Sequence, residues 1–334
     1  VSGIREVLAE GDTKSRILSE EGVGVDLRVV EPISFAPALH YFTGSKEHNT
    51  RLRQRARERG WKLNEYGLWD ENGEALSTPD EKDIFHHLGL AWIPPELRED
   101  LGELESSEEI HSRGEEWPAL VTPEDVKGVL HCHSTWSDGK ASLREMIQAA
   151  SDLGWVYYGT GDHSRTASYA GGLSIEQLEE QRQEIEEIRK DFPQMKILQG
   201  IESDILSDGS LDYPDEVLEQ LDYVVISVHS SFSLSRKDQT DRIERALRHP
   251  ATTVWGHPTG RLLLQRDGYE IDLDHLLGVA AEEKVIVELN AHPSRLDLDW
   301  RWGKRVSELG VDIGIHPDAH STRGLEDVKH GVAI

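Results

Sequence analysis

His131 and His133 are separated by one residue in Leu130-His131-Cys132-His133, inside a run that reads as a strand. Alternate residues of a strand share a face, so both imidazoles point one way and Cys132 points the other. Two neutral imidazoles converging from one strand can clamp a metal ion, although a pair at this spacing also arises by chance. The pair gains meaning from seven further residues. His163 follows the run ending near Thr160, Glu202 follows Ile197–Ile201, and His229 follows Val224–Val228. His257 follows Val254–Gly256, Asp318 and His320 follow Ile313–Ile315, and Asp138 lies in Ser137-Asp138-Gly139 soon after His133. Each sits just past the C-terminal end of a predicted strand, where barrel enzymes carry their chemistry. Core histidines would instead be scattered along the elements.

Six imidazoles and three carboxylates without a thiolate suit Mn, Zn or Fe better than Mg or Ca. Nine ligands exceed what one ion uses, so two to three divalent ions are expected. Their charge would outweigh the three carboxylates and attract phosphate locally. Adjacent ions lower the pKa of a bound water and clamp phosphate oxygens, so the expected reaction is phosphate-ester hydrolysis by a metal-bound water. No protein nucleophile is needed, and neither Ser134 nor Ser164 is given a covalent role. Cys132 reads as a buried strand residue. Arg261 and Arg295 lie near the site loops, where they either hold flanking phosphates or make structural ion pairs. His292 and His316 also sit beside strand ends and read as rim residues.

The elements that must position these side chains alternate along residues 128–334. Strand-like runs at Val129–His133, Val156–Thr160, Lys196–Ile201, Tyr223–Val228, Thr253–Trp255, Val285–Leu289 and Asp312–Ile315 are separated by helical stretches such as Ser142–Leu153 and Ser174–Phe192. Seven alternations predict an α/β unit with a parallel sheet, most economically closed into a barrel. In the acidic run Glu176–Asp191, Leu178, Ile185 and Ile188 give a helical stripe, so it reads as a solvated outer helix. Upstream, Val25, Leu27 and Val29 share one face of a strand. Ser45 caps a helix that runs through Arg59 and stops at Gly60. Pro79–Leu88 reads as another short helix. Residues 96–127, with 3 basic against 11 acidic side chains and little apolar periodicity, read as an acidic linker.

The whole chain of 334 residues has 36 basic and 63 acidic side chains, a net charge of −27. That balance is unlike a conventional nucleic-acid binder, so any groove for a polyanion must be local or owe its charge to bound metal. No apolar run is long enough to span a membrane, and residues 1–10 lack a signal-peptide pattern. The single Cys132 excludes an internal disulfide framework and points to a reducing cytoplasm.

Residues 128–334 resemble the PHP (polymerase and histidinol phosphatase) family. The resemblance is carried by His131-x-His133, Ser137-Asp138-Gly139, Asp162-His163-Ser164, Glu202, His229-Ser230, Gly256-His257-Pro258 and Asp318-Ala319-His320-Ser321. It implies a distorted (β/α)7 barrel with a trinuclear centre. One site would use His131, His133, Glu202 and Asp318, a second Asp138, His163 and His320, and a third the bridging Glu202 with His229 and His257. Gly256-His257-Pro258-Thr259-Gly260-Arg261 and Arg295-Leu296-Asp297-Leu298-Asp299-Trp300 resemble the PHP domains of bacterial family X DNA polymerases in particular.

Residues 1–95 resemble the end of the palm (1–34) and the thumb (35–95) of the same polymerases, a small α+β domain. The motifs are Val25-Asp26-Leu27-Arg28-Val29, Tyr41-Phe42-Thr43-Gly44-Ser45 and Asn64-Glu65-Tyr66-Gly67. By position Asp26 matches the third palm carboxylate, and Asn49 and Arg53 match contacts to nucleotide and template. Two-metal nucleotidyl transfer needs three carboxylates, so Asp26 alone reads as vestigial and this stretch is expected not to polymerise. The helix 47–59 carries five arginines, which lean on DNA phosphates or form a solvated face that offsets nearby acid. The resemblance implies an enzyme acting in DNA repair that hydrolyses DNA from 3′ ends, with no membrane and no obligate protein partner. The alternatives are a small-molecule phosphatase of the histidinol phosphatase branch and a DNA-binding accessory module with a structural metal cluster.

Overall fold

The computed structural model describes residues 3–334, which fall into two units, Val1–Ala119 and Leu120–Ile334. The first opens with an antiparallel meander of β1 (Ile4–Ala9), β2 (Lys14–Ser19) and β3 (Gly24–Arg28). The alternation of Val25, Leu27 and Val29 correctly predicts a strand, yet its apolar face stays open. Those residues are 46, 62 and 58 % exposed, because the core of this unit gathers elsewhere. It forms where α1 (Phe35–Thr43), α2 (Lys46–Glu58), α3 (Glu81–His87) and the short antiparallel β4 (Lys62–Asn64), β5 (Gly67–Trp69) and β6 (Ala75–Leu76) enclose Leu52, Leu68, Ile84, Phe85, Leu90 and Ile93. Ser45 caps α2 as predicted, its hydroxyl accepting from the His48 amide at 3.2 Å.

The acidic stretch 96–127 is not a linker throughout. Part of it forms α4 (Glu103–Arg113), whose Leu104 joins the core just described. Ser107 donates to the Ala91 carbonyl at 2.7 Å, and buried Glu103 lies 2.8 Å from His48 Nδ1. Its outer acids meet the arginines of α2: Arg55 pairs with Glu108 at 2.6 Å, and Arg51 pairs with Glu105 and with Asp100. A helix that docks through one leucine and several polar contacts leaves almost no apolar period to read.

In the second unit β7 (Gly128–Val129), β8 (Tyr157–Gly159) and β9 (Lys196–Leu198) form one parallel sheet. Another is built in order from β10 (Gly200–Asp204), β11 (Tyr223–Ser227), β12 (Val254–Trp255), β13 (Ile286–Asn290) and β14 (Ile313–His316). β9 and β10 are one predicted strand interrupted at Gln199, so the two sheets share it. On the other side a parallel bridge between Cys132 and Ala319, with the His133 amide donating to the Ala319 carbonyl at 2.8 Å, joins last segment to first. The ring is thereby a distorted seven-stranded barrel. Between and after the strands come α5 (Leu143–Asp152), α6 (Ile175–Asp191), α7 (Asp215–Leu218), α8 (Arg236–Leu247), α9 (Leu273–Glu283), α10 (Gly303–Leu309) and α11 (Val328–Val332). The stripe of α6 is buried at Leu178, Ile185 and Ile188, as expected. Inside the ring the Tyr223 hydroxyl donates toward the carbonyls of Leu130 (2.6 Å) and Thr160 (2.5 Å), and Val225 and Val254 pack beside it.

Candidate metal centre

The nine candidate ligands converge at one end of the ring; eight lie past strand ends as expected, whereas Glu202 lies within β10 because that strand continues to Asp204. Four overlapping groups bring their ligand atoms within 4.8 Å of one another: His133, Asp138, His163 and His320; His131, His133 and Asp318; His131, Glu202 and His257; and His163, Glu202 and His229. Asp318 Oδ1 lies 3.0 Å from His133 Nε2 and 3.6 Å from His131 Nε2. Glu202 lies 2.9 Å from His257 Nε2, 3.2 Å from His229 Nε2 and 3.3 Å from His131 Nε2. The grouping overlaps more than the expected threefold division: His133 turns Nε2 to Asp318 and Nδ1 to Asp138, at 3.8 Å, while His131 also groups with His257 and His163 with Glu202 and His229. Asp138 is held in reach by a tight turn, in which a Cβ on Gly139 would meet the His133 carbonyl oxygen at 2.6 Å. His257 (φ 24°) and Asp318 (φ 50°) occupy the left-handed region, which side chains other than glycine rarely enter. Such strain collects where function demands it.

Several of these side chains are oriented by partners that can only accept. His131 Nδ1 sits 2.7 Å from Glu288 Oε1, His229 Nδ1 2.5 Å from Asp204 Oδ1, and His320 Nδ1 2.8 Å from the Asp318 carbonyl oxygen. Each Nδ1 therefore carries the proton, and each Nε2 lone pair turns toward the cluster. Glu288 is fixed in turn by the His257 amide at 2.6 Å and Asn290 Nδ2 at 3.1 Å. Asn290 Nδ2 also reaches Asp318 Oδ2 at 3.2 Å. Buried Asp162 accepts from the Ser134 amide, the Ser137 hydroxyl and Gln181, which braces the loop bearing Asp138. Sequence reading missed Glu288, Asn290 and Asp204. The available signal was Glu288 and Asn290 at alternate positions of an otherwise apolar strand, the same pattern that flagged His131 and His133.

The electrostatics suit metal binding. Burial alone would raise Glu202 and Asp318, but the surrounding imidazoles, with Arg295 beside Asp318, hold both well below the usual carboxylate range. Burial, reinforced by His163 and His320, pushes His133 down to about 3, leaving it neutral. Burial opposes charge on His131, yet Glu288, Glu202 and Asp318 raise it well above an ordinary imidazole. Buried His131 Nε2, His133 Nδ1, His163 Nδ1 and Glu202 Oε2 have no hydrogen-bond partner. Glu202 Oε2 and His163 Nδ1 are only 2.9 Å apart, yet without hydrogen-bond geometry. Atoms aimed at a common third point rather than at each other fit a cation between them.

Among the tentative substrate contacts, Arg261 is committed elsewhere. It pairs with Asp299 and donates to the carbonyls of Arg295 (2.9 Å) and Leu296. Arg295 stays at the centre, 3.3 Å from Asp318 Oδ2. His316 is buried rather than on the rim, and burial moves it down to about 4. His292 is half-buried. In the first unit Asn49 is buried and donates to the Tyr41 carbonyl at 2.8 Å, while the Arg53 guanidinium lies 5.9 Å from the Tyr41 ring centroid. Asp26 is exposed between Lys14 and Arg16, far from the nine in sequence and in the other unit. Tyr169 lies at the edge of the centre, its ring 6.4 Å from that of His163.

A family model described as PHP domain matches residues 130–292, and one described as DNA polymerase beta thumb matches residues 38–99. DNA polymerase/3′-5′ exonuclease PolX of Bacillus subtilis (strain 168) is 44% identical over 333 residues, covering 98% of this chain and 57% of that protein. The chain is similar over nearly its whole length to the family X DNA polymerases that carry a PHP domain. A probable phosphatase of Clostridium acetobutylicum is 29% identical over 171 residues, 48% of this chain and 63% of that protein. Human DNA-directed DNA/RNA polymerase mu is 47% identical over 83 residues, 24% of this chain and 17% of that protein. The chain thus spans just over half the length of the family X relative from Bacillus. The PHP match falls in its second unit and the thumb match in its first. No helix among the described residues is long and apolar enough to cross a membrane.

Proposed function

We propose that the second unit hydrolyses DNA phosphodiesters stepwise from 3′ ends, as an exonuclease acting in repair. The observation that carries this reading is the convergence of nine ligand-type side chains, several with buried lone pairs aimed at shared points. His131, His133, Glu202 and Asp318 would hold one divalent ion, Asp138, His163 and His320 a second, and Glu202, His229 and His257 a third. Bound there, Mn, Zn or Fe ions supply Lewis acidity toward phosphoryl oxygens and a water of lowered pKa. The polypeptide does the rest. Glu288, Asp204 and the Asp318 carbonyl keep His131, His229 and His320 in the tautomer that presents Nε2. Arg295 offers a guanidinium to a phosphate oxygen beside Asp318. Support for DNA comes from the thumb in the same chain and from a relative named a 3′-5′ exonuclease.

A second reading, hydrolysis of a small phosphate monoester, is favoured by relatives named as probable phosphatases, each matching less than half of the chain. The chain is incubated with Mn, a 5′-labelled oligonucleotide and, separately, histidinol phosphate. Stepwise shortening of the DNA at the higher kcat/KM is expected, and it should vanish in His133→Ala and Glu202→Ala. Turnover of histidinol phosphate with intact DNA moves the chain to the second reading.

A further inference from the structure

Tyr169 is unlike the other tyrosines of the second unit. Tyr158, Tyr213, Tyr223 and Tyr269 are buried and Tyr157 is half-buried, whereas Tyr169 is 71% exposed. It stands on a 3-10 turn, Ser168–Ala170, in the loop that leaves His163. That loop is held at several points. Thr166 donates to Asp212 from its amide (2.7 Å) and to Asp204 from its hydroxyl (3.0 Å). The Leu173 amide returns to the His163 carbonyl at 2.9 Å, and the Tyr213 hydroxyl donates to the Leu173 carbonyl at 2.5 Å. The return is possible only because residue 172 is glycine, since a Cβ there would meet the Ser164 carbonyl oxygen at 1.8 Å. An aromatic ring is thus presented to solvent on a braced loop, 6.4 Å from the ring of a candidate ligand.

We infer that Tyr169 determines specificity for nucleic acid, by offering its ring face to the nucleobase attached to the phosphate being cleaved. The inference rests on the function proposed above. A phosphate held beside His163, Glu202 and Asp138 carries its base about one sugar away, which is the reach to the Tyr169 ring. Every base has a π-face, so stacking there favours a nucleotide over a bare phosphate ester without reading sequence. The ring is the working part, and the hydroxyl is dispensable.

Two 3′-labelled oligonucleotides separate the contributions, one with a normal terminal nucleotide and one with an abasic tetrahydrofuran residue. On the normal end, Tyr169→Ala should lose ~10-fold or more in kcat/KM, the size of a single base–aromatic stack. On the abasic end it should match the parent chain, and Tyr169→Phe should match the parent on both. A 3′-terminal 2-aminopurine should be quenched on binding by the parent chain and by Tyr169→Phe, but not by Tyr169→Ala. Equal losses on both ends, or a Phe variant as impaired as Ala, would overturn the stacking role. A parent chain that shortens neither oligonucleotide would instead overturn the exonuclease reading and this inference with it.

Discussion

Glu288 shows how much of a metal centre lies outside its ligands. It receives the His131 Nδ1 proton and the His257 amide together, so one carboxylate sets the tautomer of one candidate ligand and the backbone position of another. Partners of this kind are typically worth ~10- to 100-fold in metal affinity. Glu288→Gln should therefore weaken Mn or Zn binding by about that factor in a chelator-competition titration, with the far-UV spectrum unchanged. Unaltered affinity would show that His131 needs no such support. His40 supports a different expectation. Burial, then Arg98 and His48, moves its imidazole down to about 3 from 6.5. The unfolded chain binds the proton more readily, so this contribution to stability is complete above pH 6.5 and is lost as pH falls toward 3. Hydrogen-exchange protection in α1 and α3 should drop across that window, by up to ~1.4 kcal/mol per pH unit, and His40→Phe should flatten the slope.

At the scale of elements, α4 was the hardest to foresee. Its docking rests on Leu104, on the Glu103–His48 pair and on Ser107, while its outer ion pairs with α2 are exposed. Leu104→Ala should cost ~2–4 kcal/mol in a denaturant titration, as buried leucines do. Glu105→Gln should cost less than ~1 kcal/mol, as exposed pairs usually do. A reversed order would mean that charge rather than packing holds the helix. The barrel was far more legible, because six of the seven strand-like runs led into candidate ligands and both regularities named the same strand ends. Arg261 was ambiguous for a physical reason: its anchor, Asp299, lies 38 positions away and only the folded loop brings them together. Glu288 and Asp204 lie inside strands, and a carboxylate there, even one flagged by alternation as Glu288 is, does not say which imidazole it will meet.

With 63 acidic against 36 basic side chains the molecule pairs some of its acids, as α4 does against α2, and keeps a net charge of −27. Much of the remainder repels itself across the surface. At 1 M salt the screening length is about 3 Å, shorter than the spacing of most surface charges. The thermal unfolding midpoint should therefore hold or rise as KCl goes from dilute to molar. A midpoint that falls steadily with salt would count against this. Hydrolysis of DNA should still lose some affinity over the same range, because phosphate contacts release counterions. Comparing KM with the melting curve separates the two effects.

The bridge between Cys132 and Ala319 has a temporal consequence. It seats His131 and His133 beside Asp318 and His320, so groups 185 positions apart in the chain share one site. Contacts of such separation form late, after the loop-closure entropy of everything between them has been overcome. During synthesis the earlier imidazoles must wait until the final strand has left the ribosome. A nascent or prematurely ended polypeptide therefore has no complete ligand set, and the assembled centre arrives only with the completed ring.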